Sequence, residues 1–158
     1  MENRPSWQQY FMQRAHLASK RSTCLLRAGG AALVRDNQII ATGYNGSPKN
    51  SPHCADVGCL REQQNVPSGQ KHELCRGVHA EQNAIIQAAI NGSSTRGAYL
   101  YCTHQPCSIC ARMIINAEIR RVYIANTYPD ALAEQLFRES GIELIHYDLE
   151  TGKQVRIT

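Results

Sequence analysis

Two short motifs bring together residue types that bind metal ions and move protons. His79-Ala80-Glu81 begins one predicted helix, and Pro106-Cys107-Ser108-Ile109-Cys110 begins another further along the chain. His79, Cys107 and Cys110 are ligands of the kinds that zinc prefers. Three protein ligands leave the fourth tetrahedral position open for water, which distinguishes a catalytic zinc site from a closed structural one. The spacing therefore predicts a catalytic zinc site with these three ligands.

Glu81 has a predicted role separate from metal binding. Side chains two positions apart on a helix point in different directions, so His79 and Glu81 converge only if the site lies over the helix end. The unpaired N–H groups and the dipole of a helix start also favour thiolate at Cys107 and Cys110. Zinc lowers the pKa of a bound water to roughly 7. Glu81 is therefore predicted to be the catalytic acid and base that moves the protons of this water.

The bulk composition limits the class of protein. A chain of 158 residues with 42% hydrophobic residues can bury one core, so we expect one domain over residues 1–158. The lack of a long apolar run predicts a cytoplasmic protein with no membrane partner. In a reducing compartment, seven cysteines indicate metal binding or catalysis rather than disulfides. The net charge of +4 is compatible with an anionic small molecule and is no sign of a nucleic-acid partner.

The elements that must position the two motifs follow from hydrophobic periodicity. Helices are predicted over residues 7–18, 79–91, 107–117 and 130–140, and strands over residues 31–34, 39–44, 98–103, 121–125 and 142–145. Asp36-Asn37 predicts a hairpin between the first two strands. The later alternation of strand and helix builds parallel pairs, so the fold class is α/β. Residues 45–76 form an unusually long loop, and the polar residues 146–158 have no assigned structure.

The two motifs together match a known signature, because His-x-Glu followed by Pro-Cys-x-x-Cys is typical of zinc nucleobase deaminases. Further matching runs extend from Gly43 to Pro48, from His79 to Ile85 and from Tyr101 to Thr103. Over about residues 24–145 the chain resembles the cytidine deaminase superfamily, and more closely its deoxycytidylate deaminase branch. The resemblance implies a three-layer cytidine deaminase-like fold, with a five-stranded mixed sheet flanked by helices. It also implies that the chain forms a homo-oligomer, a hexamer by resemblance. The implied reaction converts dCMP to dUMP and ammonia and supplies dUMP for thymidylate synthesis.

The resemblance also suggests which residues contact the substrate. Asn45, in the Tyr-Asn-Gly turn, is the candidate for the sugar, and Ala80 is a further candidate for substrate binding. Arg27, Arg112 and Tyr128 are candidates for the phosphate. Each of these three has an alternative role as a solvated or packing residue.

Regulation and a second metal site are also implied by relatives in this branch. The Tyr-Asn-Gly turn is linked to activation by dCTP with Mg²⁺ and to inhibition by dTTP. Asn50 stands where those relatives usually have Gly, and Glu118 stands where Gly is common after a helix, so both are departures from the family pattern.

Some relatives hold a second, structural zinc near the long loop. Cys24, Cys54, His72 and Cys75 are the predicted ligands, with Cys59 and His53 nearby in the sequence. Such a closed site would hold an extended polar loop in order. The alternative is that Cys24 is a small core residue and that His72 is a surface residue.

Two alternative hypotheses, in which the chain is not a deaminase, explain fewer of these residues. A zinc-ribbon module that binds nucleic acid needs paired Cys-x-x-Cys knuckles, of which the chain has one, and it gives Glu81 no role. A thiol redox site at Cys107 and Cys110 leaves His79 and Glu81 without a function.

If the chain is a deaminase, the two motifs alone do not determine its substrate. The enzyme could act on another cytosine nucleotide or nucleoside, or on a base in tRNA or single-stranded DNA, which requires contacts to flanking phosphates. Arg61, Lys71 and Arg76 in the long loop could supply them. Because Glu62 and Glu73 lie among these cations, a free nucleotide is the favoured substrate.

Overall fold

A mixed β-sheet forms the centre of the computed structural model, which describes residues 3–158. Across this part of the chain the sheet has six strands in the order β2-β1-β3-β4-β5-β6. They are β1 Gly30–Arg35, β2 Gln38–Tyr44, β3 Tyr99–His104, β4 Arg121–Asn126, β5 Glu143–Tyr147 and β6 Gln154–Arg156. Strand β1 is antiparallel to β2 and β3, whereas β3, β4 and β5 are parallel. The α/β class and the five predicted strands are confirmed.

Strand β6 is a correction to the predicted five-stranded sheet. It pairs antiparallel with β5, with Arg156 opposite Ile145. All three of its side chains are exposed, so the alternation of buried and exposed residues that marks a strand is missing from the sequence. The polar C-terminal segment therefore adds an edge strand to the sheet.

Helices cover both faces of the sheet and make the three layers. They are α1 Trp7–Ser19, α2 Cys54–Val57, α3 Leu60–Gln63, α4 Ala80–Ile90, α5 Ser108–Asn116 and α6 Ala131–Ser140. Alternate strand residues point to opposite faces. Ala32 and Val34 therefore pack in a core with Phe11 of α1, whereas Ala31 and Leu33 pack in the core that contains buried residues of α4, α5 and α6.

The turns follow the local sequence. Asp36 and Asn37 have φ angles of 51° and 57°, as the predicted hairpin between β1 and β2 requires. The long loop contains α2, α3 and a 3-10 turn at His72–Leu74, so it is more ordered than its composition indicates. No helix found in residues 3–158 combines the length and the apolar character needed to cross a membrane.

Candidate active site

Helices α4 and α5 begin beside each other and direct their first turns at one site. His79 is the N-cap of α4 and Cys107 is the N-cap of α5, so each helix begins one residue later than predicted. The backbone N–H of His79 donates to Oε1 of Gln82 at 2.9 Å. The backbone N–H of Ser108 donates to Oδ2 of Asp130, also at 2.9 Å. Both helix starts are thus fixed by side chains that accept otherwise unpaired N–H groups.

The three predicted zinc ligands come together at this point. Nδ1 of His79 lies 3.3 Å from Sγ of Cys110 and 3.7 Å from Sγ of Cys107. The ligating atoms of all three residues lie within 4.8 Å of one another. In a tetrahedral site with Zn–N and Zn–S bonds of roughly 2.0 and 2.3 Å, nitrogen and sulfur ligands are about 3.6 Å apart. The donor types and their spacing therefore fit zinc.

The protonation states of the three ligands are linked. Hydrogen bonding with the Cys110 thiol, and secondarily with His79, lowers the pKa of Cys107 to about 3. The same thiol–thiolate bond is the largest cause of a raised pKa at Cys110. The hydrogen bond to Cys107 is the largest cause of a raised pKa at His79. This lowered pKa favours the thiolate at Cys107, the form that binds metal.

Glu81 lies one residue inside α4, in its first turn, and lines the same cavity as His79 and Cys107. Its side chain is buried, with 8% of the residue exposed. Burial raises the pKa of this carboxyl, and the nearby His79 opposes the rise. A carboxyl whose pKa lies closer to neutral can both take up and return a proton.

Asn45 connects the end of β2 to the start of α4. Its Oδ1 accepts a hydrogen bond from the backbone N–H of Ala80 at 2.8 Å, and its Nδ2 donates to the carbonyl of Arg27 at 3.1 Å. Gly29 allows this approach, because a Cβ there would lie 2.8 Å from Nδ2 of Asn45. The substrate contacts of Asn45 and Ala80 stay predictions. Their hydrogen bond is a positioning contact that the sequence does not reveal.

The three candidates for the phosphate lie in two places. Arg27 and Tyr128 line the cavity, and the Arg27 guanidinium lies 4.6 Å from the centre of the Tyr128 ring. Arg112 is exposed and borders a separate groove at the ends of α4 and α5, beside Met113. Since Cys110 and Arg112 are two positions apart on α5, they point in different directions. Arg112 is therefore not among the residues that line this cavity.

The residues predicted for a second zinc site lie along the same cavity but not in one ligand-sized cluster. Cys24, Cys54, His72 and Cys75 all line it, as does Cys59. Among the described residues, His79, Cys107 and Cys110 are the only set of three or more His, Cys or acidic side chains whose ligating atoms meet within 4.8 Å.

The cysteines of this region nevertheless interact with one another. Burial, and then the charges of Cys59, Cys75 and Cys24 in turn, raise the pKa of Cys54. The His72 ring instead lies edge-on to the His79 ring, with 5.5 Å between centroids. His53 is exposed.

Arg61 is a cavity residue whose position the sequence did not reveal. It was a candidate for a surface contact with polynucleotide phosphates, but only 8% of it is exposed and it lines the cavity. Its Nη2 donates to the carbonyl of Pro67 at 3.1 Å. The long loop has no regular periodicity, so no sequence signal predicts this burial. Lys71 is exposed and Arg76 is half-buried outside the cavity lining.

One His and two Cys ligands at two helix starts, with a buried Glu beside them, define a zinc-dependent hydrolytic enzyme of the deaminase type. Residues 5–126 match the model of the cytidine and deoxycytidylate deaminase zinc-binding region. The chain belongs to this family, and its predicted zinc cofactor is accordingly confirmed at the level of the family and the ligand set.

Named relatives extend the comparison. ComE operon protein 2 of Bacillus subtilis is 43% identical over 148 residues, which cover 93% of this chain and 74% of the relative. The deoxycytidylate deaminase of Schizosaccharomyces pombe is 39% identical over 91% of this chain, which spans 45% of that longer protein. The crystal structure of a dCMP deaminase from the cyanophage S-TIM5, in complex with dCMP and dUMP, superposes with a TM-score of 0.76 at 29% identity. That match covers 90% of this chain and 98% of the other.

Proposed function

We propose that this protein deaminates dCMP hydrolytically to dUMP and ammonia, and so supplies dUMP for thymidylate synthesis. The observation that carries the proposal is the cluster of His79, Cys107 and Cys110 beside a cavity. His79, Cys107 and buried Glu81 line this cavity, and so do two arginines. Relatives that bear the name deoxycytidylate deaminase, and the cyanophage enzyme solved with dCMP and dUMP, support this choice of substrate.

The chain's own residues can be assigned to the steps of this reaction. His79, Cys107 and Cys110 hold zinc, which supplies a water of lowered pKa when bound. Glu81 takes up a proton from the water and delivers it to ring nitrogen N3 of the cytosine. A second proton passes through the same carboxyl to the amino group at C4, which leaves as ammonia. Overall, the oxygen of one water forms a bond to C4 and the bond from C4 to the amino nitrogen breaks. The two protons of that water end on N3 and on the ammonia.

The polynucleotide alternative has weaker support. A base in tRNA or single-stranded DNA needs exposed cations along the flanking phosphates. Arg61 is buried in the cavity rather than exposed. Exposed Lys71 lies beside half-buried His72 and near exposed Glu73. These positions favour an anionic small molecule over a nucleic-acid strand.

A second, structural zinc forms part of the proposal, with Cys24, Cys54, Cys59 and Cys75 as ligands. Their sulfur atoms do not all lie within 4.8 Å of one another among the described residues, so binding one ion requires them to move closer together. Cys59 takes the place of His72 in this set. The charges of Cys59, Cys75 and Cys24 raise the pKa of Cys54, so these cysteines lie near it, whereas the His72 ring packs against the His79 ring. The backbone N–H of Gly77 also donates to Sγ of Cys75 at 3.4 Å.

Regulation by nucleotides is likewise part of the proposal, with dCTP and Mg²⁺ as activator and dTTP as inhibitor. Asn50 has a φ angle of 65°, in the left-handed region where Asn is the best-tolerated residue after Gly. The chain can therefore keep the turn that Gly gives the relatives. A retained effector site predicts that dTTP lowers the rate of dCMP deamination.

We also propose that the chain forms a homo-oligomer through the outer surfaces of α4 and α5. Ile90 and Ile86 of α4 are 70% and 46% exposed, and Met113 of α5 is 44% exposed. Ile86 and Ile90 lie one turn apart on the same face of α4, and exposed apolar patches mark protein interfaces. Light scattering of the Ile90→Lys protein should then show a smaller particle than that of the unmodified protein.

The substrate is tested by ammonia release from cytidine, deoxycytidine, CMP, dCMP and dCTP with the purified, zinc-loaded protein. The proposal predicts the highest kcat/KM for dCMP. A higher value for another cytosine compound would change the substrate and leave the reaction type intact. No release from any of the five would overturn the proposed function.

A further inference from the structure

Arg61 is a buried cation without an anionic partner on the protein. The residue is 8% exposed, and Nε has no hydrogen-bond partner. Two ion pairs occur between described residues, and neither includes Arg61. Removing a charge from water is costly unless an opposite charge compensates it. No carboxylate of the described residues therefore compensates the charge of Arg61.

The cavity gives a compensating anion a defined place. Arg61 lines the cavity together with Arg27 and Tyr128. Nη2 of Arg61 donates to the Pro67 carbonyl. Nε is enclosed by protein atoms, so Nη1 is the nitrogen left to meet a ligand in the cavity. A guanidinium N–H makes short, charge-assisted hydrogen bonds to phosphate oxygens.

A short stretch of the loop links the three cavity residues into one wall. The Pro67 carbonyl that Arg61 contacts precedes Ser68 and Gly69, which also line the cavity. A Cβ at Gly69 would lie 2.2 Å from the Tyr128 hydroxyl oxygen, so the loop backbone packs directly against Tyr128. The Tyr128 ring in turn packs against the Arg27 guanidinium. The wall thus presents two guanidinium groups and one hydroxyl group.

The cysteines of the same loop, as thiolates, are an alternative to a bound anion as partners of Arg61. The arginine whose charge lowers the pKa of Cys54 is Arg76, and Arg76 does not line the cavity. Nε of Arg76 also lacks a partner. The two arginines therefore differ in their surroundings, with Arg76 beside the cysteines and Arg61 facing the cavity.

We propose that Arg61 binds the 5′-phosphate of the substrate and sets the preference for nucleotide over nucleoside. This assignment rests on the proposed function, because it takes the cavity to hold a cytosine nucleotide. Arg61 has no part in the proton transfers. Its loss therefore affects dCMP and leaves deoxycytidine, which has no phosphate, nearly unaffected.

The test compares kcat/KM for dCMP and for deoxycytidine in the Arg61→Gln, Arg61→Lys and Arg76→Gln proteins. Arg61→Gln should lower the value for dCMP about 10- to 100-fold and keep the value for deoxycytidine within about twofold. Arg61→Lys should lie between Arg61→Gln and the unmodified protein, because it keeps the charge and changes the position and geometry of the donor. Arg76→Gln, the matched control, should leave the ratio of the two values unchanged.

An equal loss for both substrates, or no loss for dCMP, would overturn the assignment. A fall in zinc content in Arg61→Gln but not in Arg76→Gln would instead make Arg61 a counter-charge to the cysteines. A titration of dUMP and deoxyuridine separates this inference from the proposed function, because it needs no turnover. If the unmodified protein does not deaminate dCMP, the proposed function fails. If Arg61→Gln then binds dUMP more weakly but binds deoxyuridine unchanged, the phosphate contact is still supported. Unchanged binding of dUMP overturns it.

Discussion

The backbone N–H of Ala80 donates a 2.8 Å hydrogen bond to the side-chain Oδ1 of Asn45. The bond joins the turn after β2 to the first turn of α4. Ala80 lies between His79, which is predicted to bind zinc, and Glu81, which is predicted to move protons. The first N–H groups of a helix have no partner within the helix. Asn45 therefore both satisfies one of these groups and fixes the direction of α4.

This contact predicts different results for two substitutions at Asn45. Asn45→Asp keeps the oxygen that accepts from Ala80, whereas Asn45→Ala leaves that N–H unpaired. Asn45→Ala should lower the free energy of unfolding by about 1 to 3 kcal/mol and should lower kcat/KM for dCMP more than Asn45→Asp does. Denaturant unfolding and initial rates provide the two measurements. Equal rates for Asn45→Ala and the unmodified protein would show that this hydrogen bond does not position the site.

The catalytic zinc site predicts a difference between two buried cysteines. Cys110→Ala removes a ligand and should abolish both activity and tight zinc binding at this site. Cys102→Ala is the matched control, because Cys102 is also buried but lies outside the ligand set. Zinc content by atomic absorption and ammonia release from dCMP check the pair. Activity retained in Cys110→Ala would exclude this cysteine as a necessary ligand.

The proposed second zinc predicts a metal content that depends on Cys59 and not on His72. Cys59→Ser should reduce the zinc content from about two ions per chain to one and should lower the thermal midpoint, because a structural zinc contributes directly to folding. His72→Ala should keep both ions. One ion per chain in the unmodified protein would rule out the second site, and loss of an ion in His72→Ala would restore the ligand set predicted from the sequence.

The ion pair between Arg121 and Glu143 predicts a pH-dependent stability. Nη2 of Arg121 lies 2.8 Å from Oε1 of Glu143, and about a quarter of each side chain is exposed (25% and 26%). The hydrogen bond from Arg121 is the largest cause of the lowered pKa of Glu143. The folded state therefore binds this proton less tightly than the unfolded chain. The stabilisation is present above the ordinary glutamate pKa and is lost as the pH falls through the lowered one.

Glu143→Gln should accordingly reduce the free energy of unfolding by about 1 kcal/mol at neutral pH, with a difference that disappears in acid. Glu118→Gln is the control, because the Arg96–Glu118 pair is far more exposed (79% and 56%) and should contribute less. Urea unfolding of the three proteins at several pH values measures both effects. A difference for Glu143→Gln that does not change with pH would show that the pair's charge is not its cause.

The parts predicted from sequence are those that local patterns specify. The apolar run from Ala31 to Val34 predicts a strand, which the structure buries on both faces. The residue types of His79, Cys107 and Cys110 predict a zinc site, and their distances fit one. Strand β6 was not predicted because its side chains are all exposed. The burial of Arg61 was not predicted because it depends on contacts made by an aperiodic loop after folding.

The turnover of dCMP by the zinc-loaded Glu81→Gln protein measures whether Glu81 carries the protons of the reaction, since this change keeps the shape of the side chain and removes its ability to carry a proton. The unmodified protein should convert dCMP to equal amounts of dUMP and ammonia. Glu81→Gln should bind the same amount of zinc and be slower by about 10² to 10⁴-fold. A Glu81→Gln protein that binds zinc and deaminates dCMP at the unmodified rate would contradict this role of Glu81.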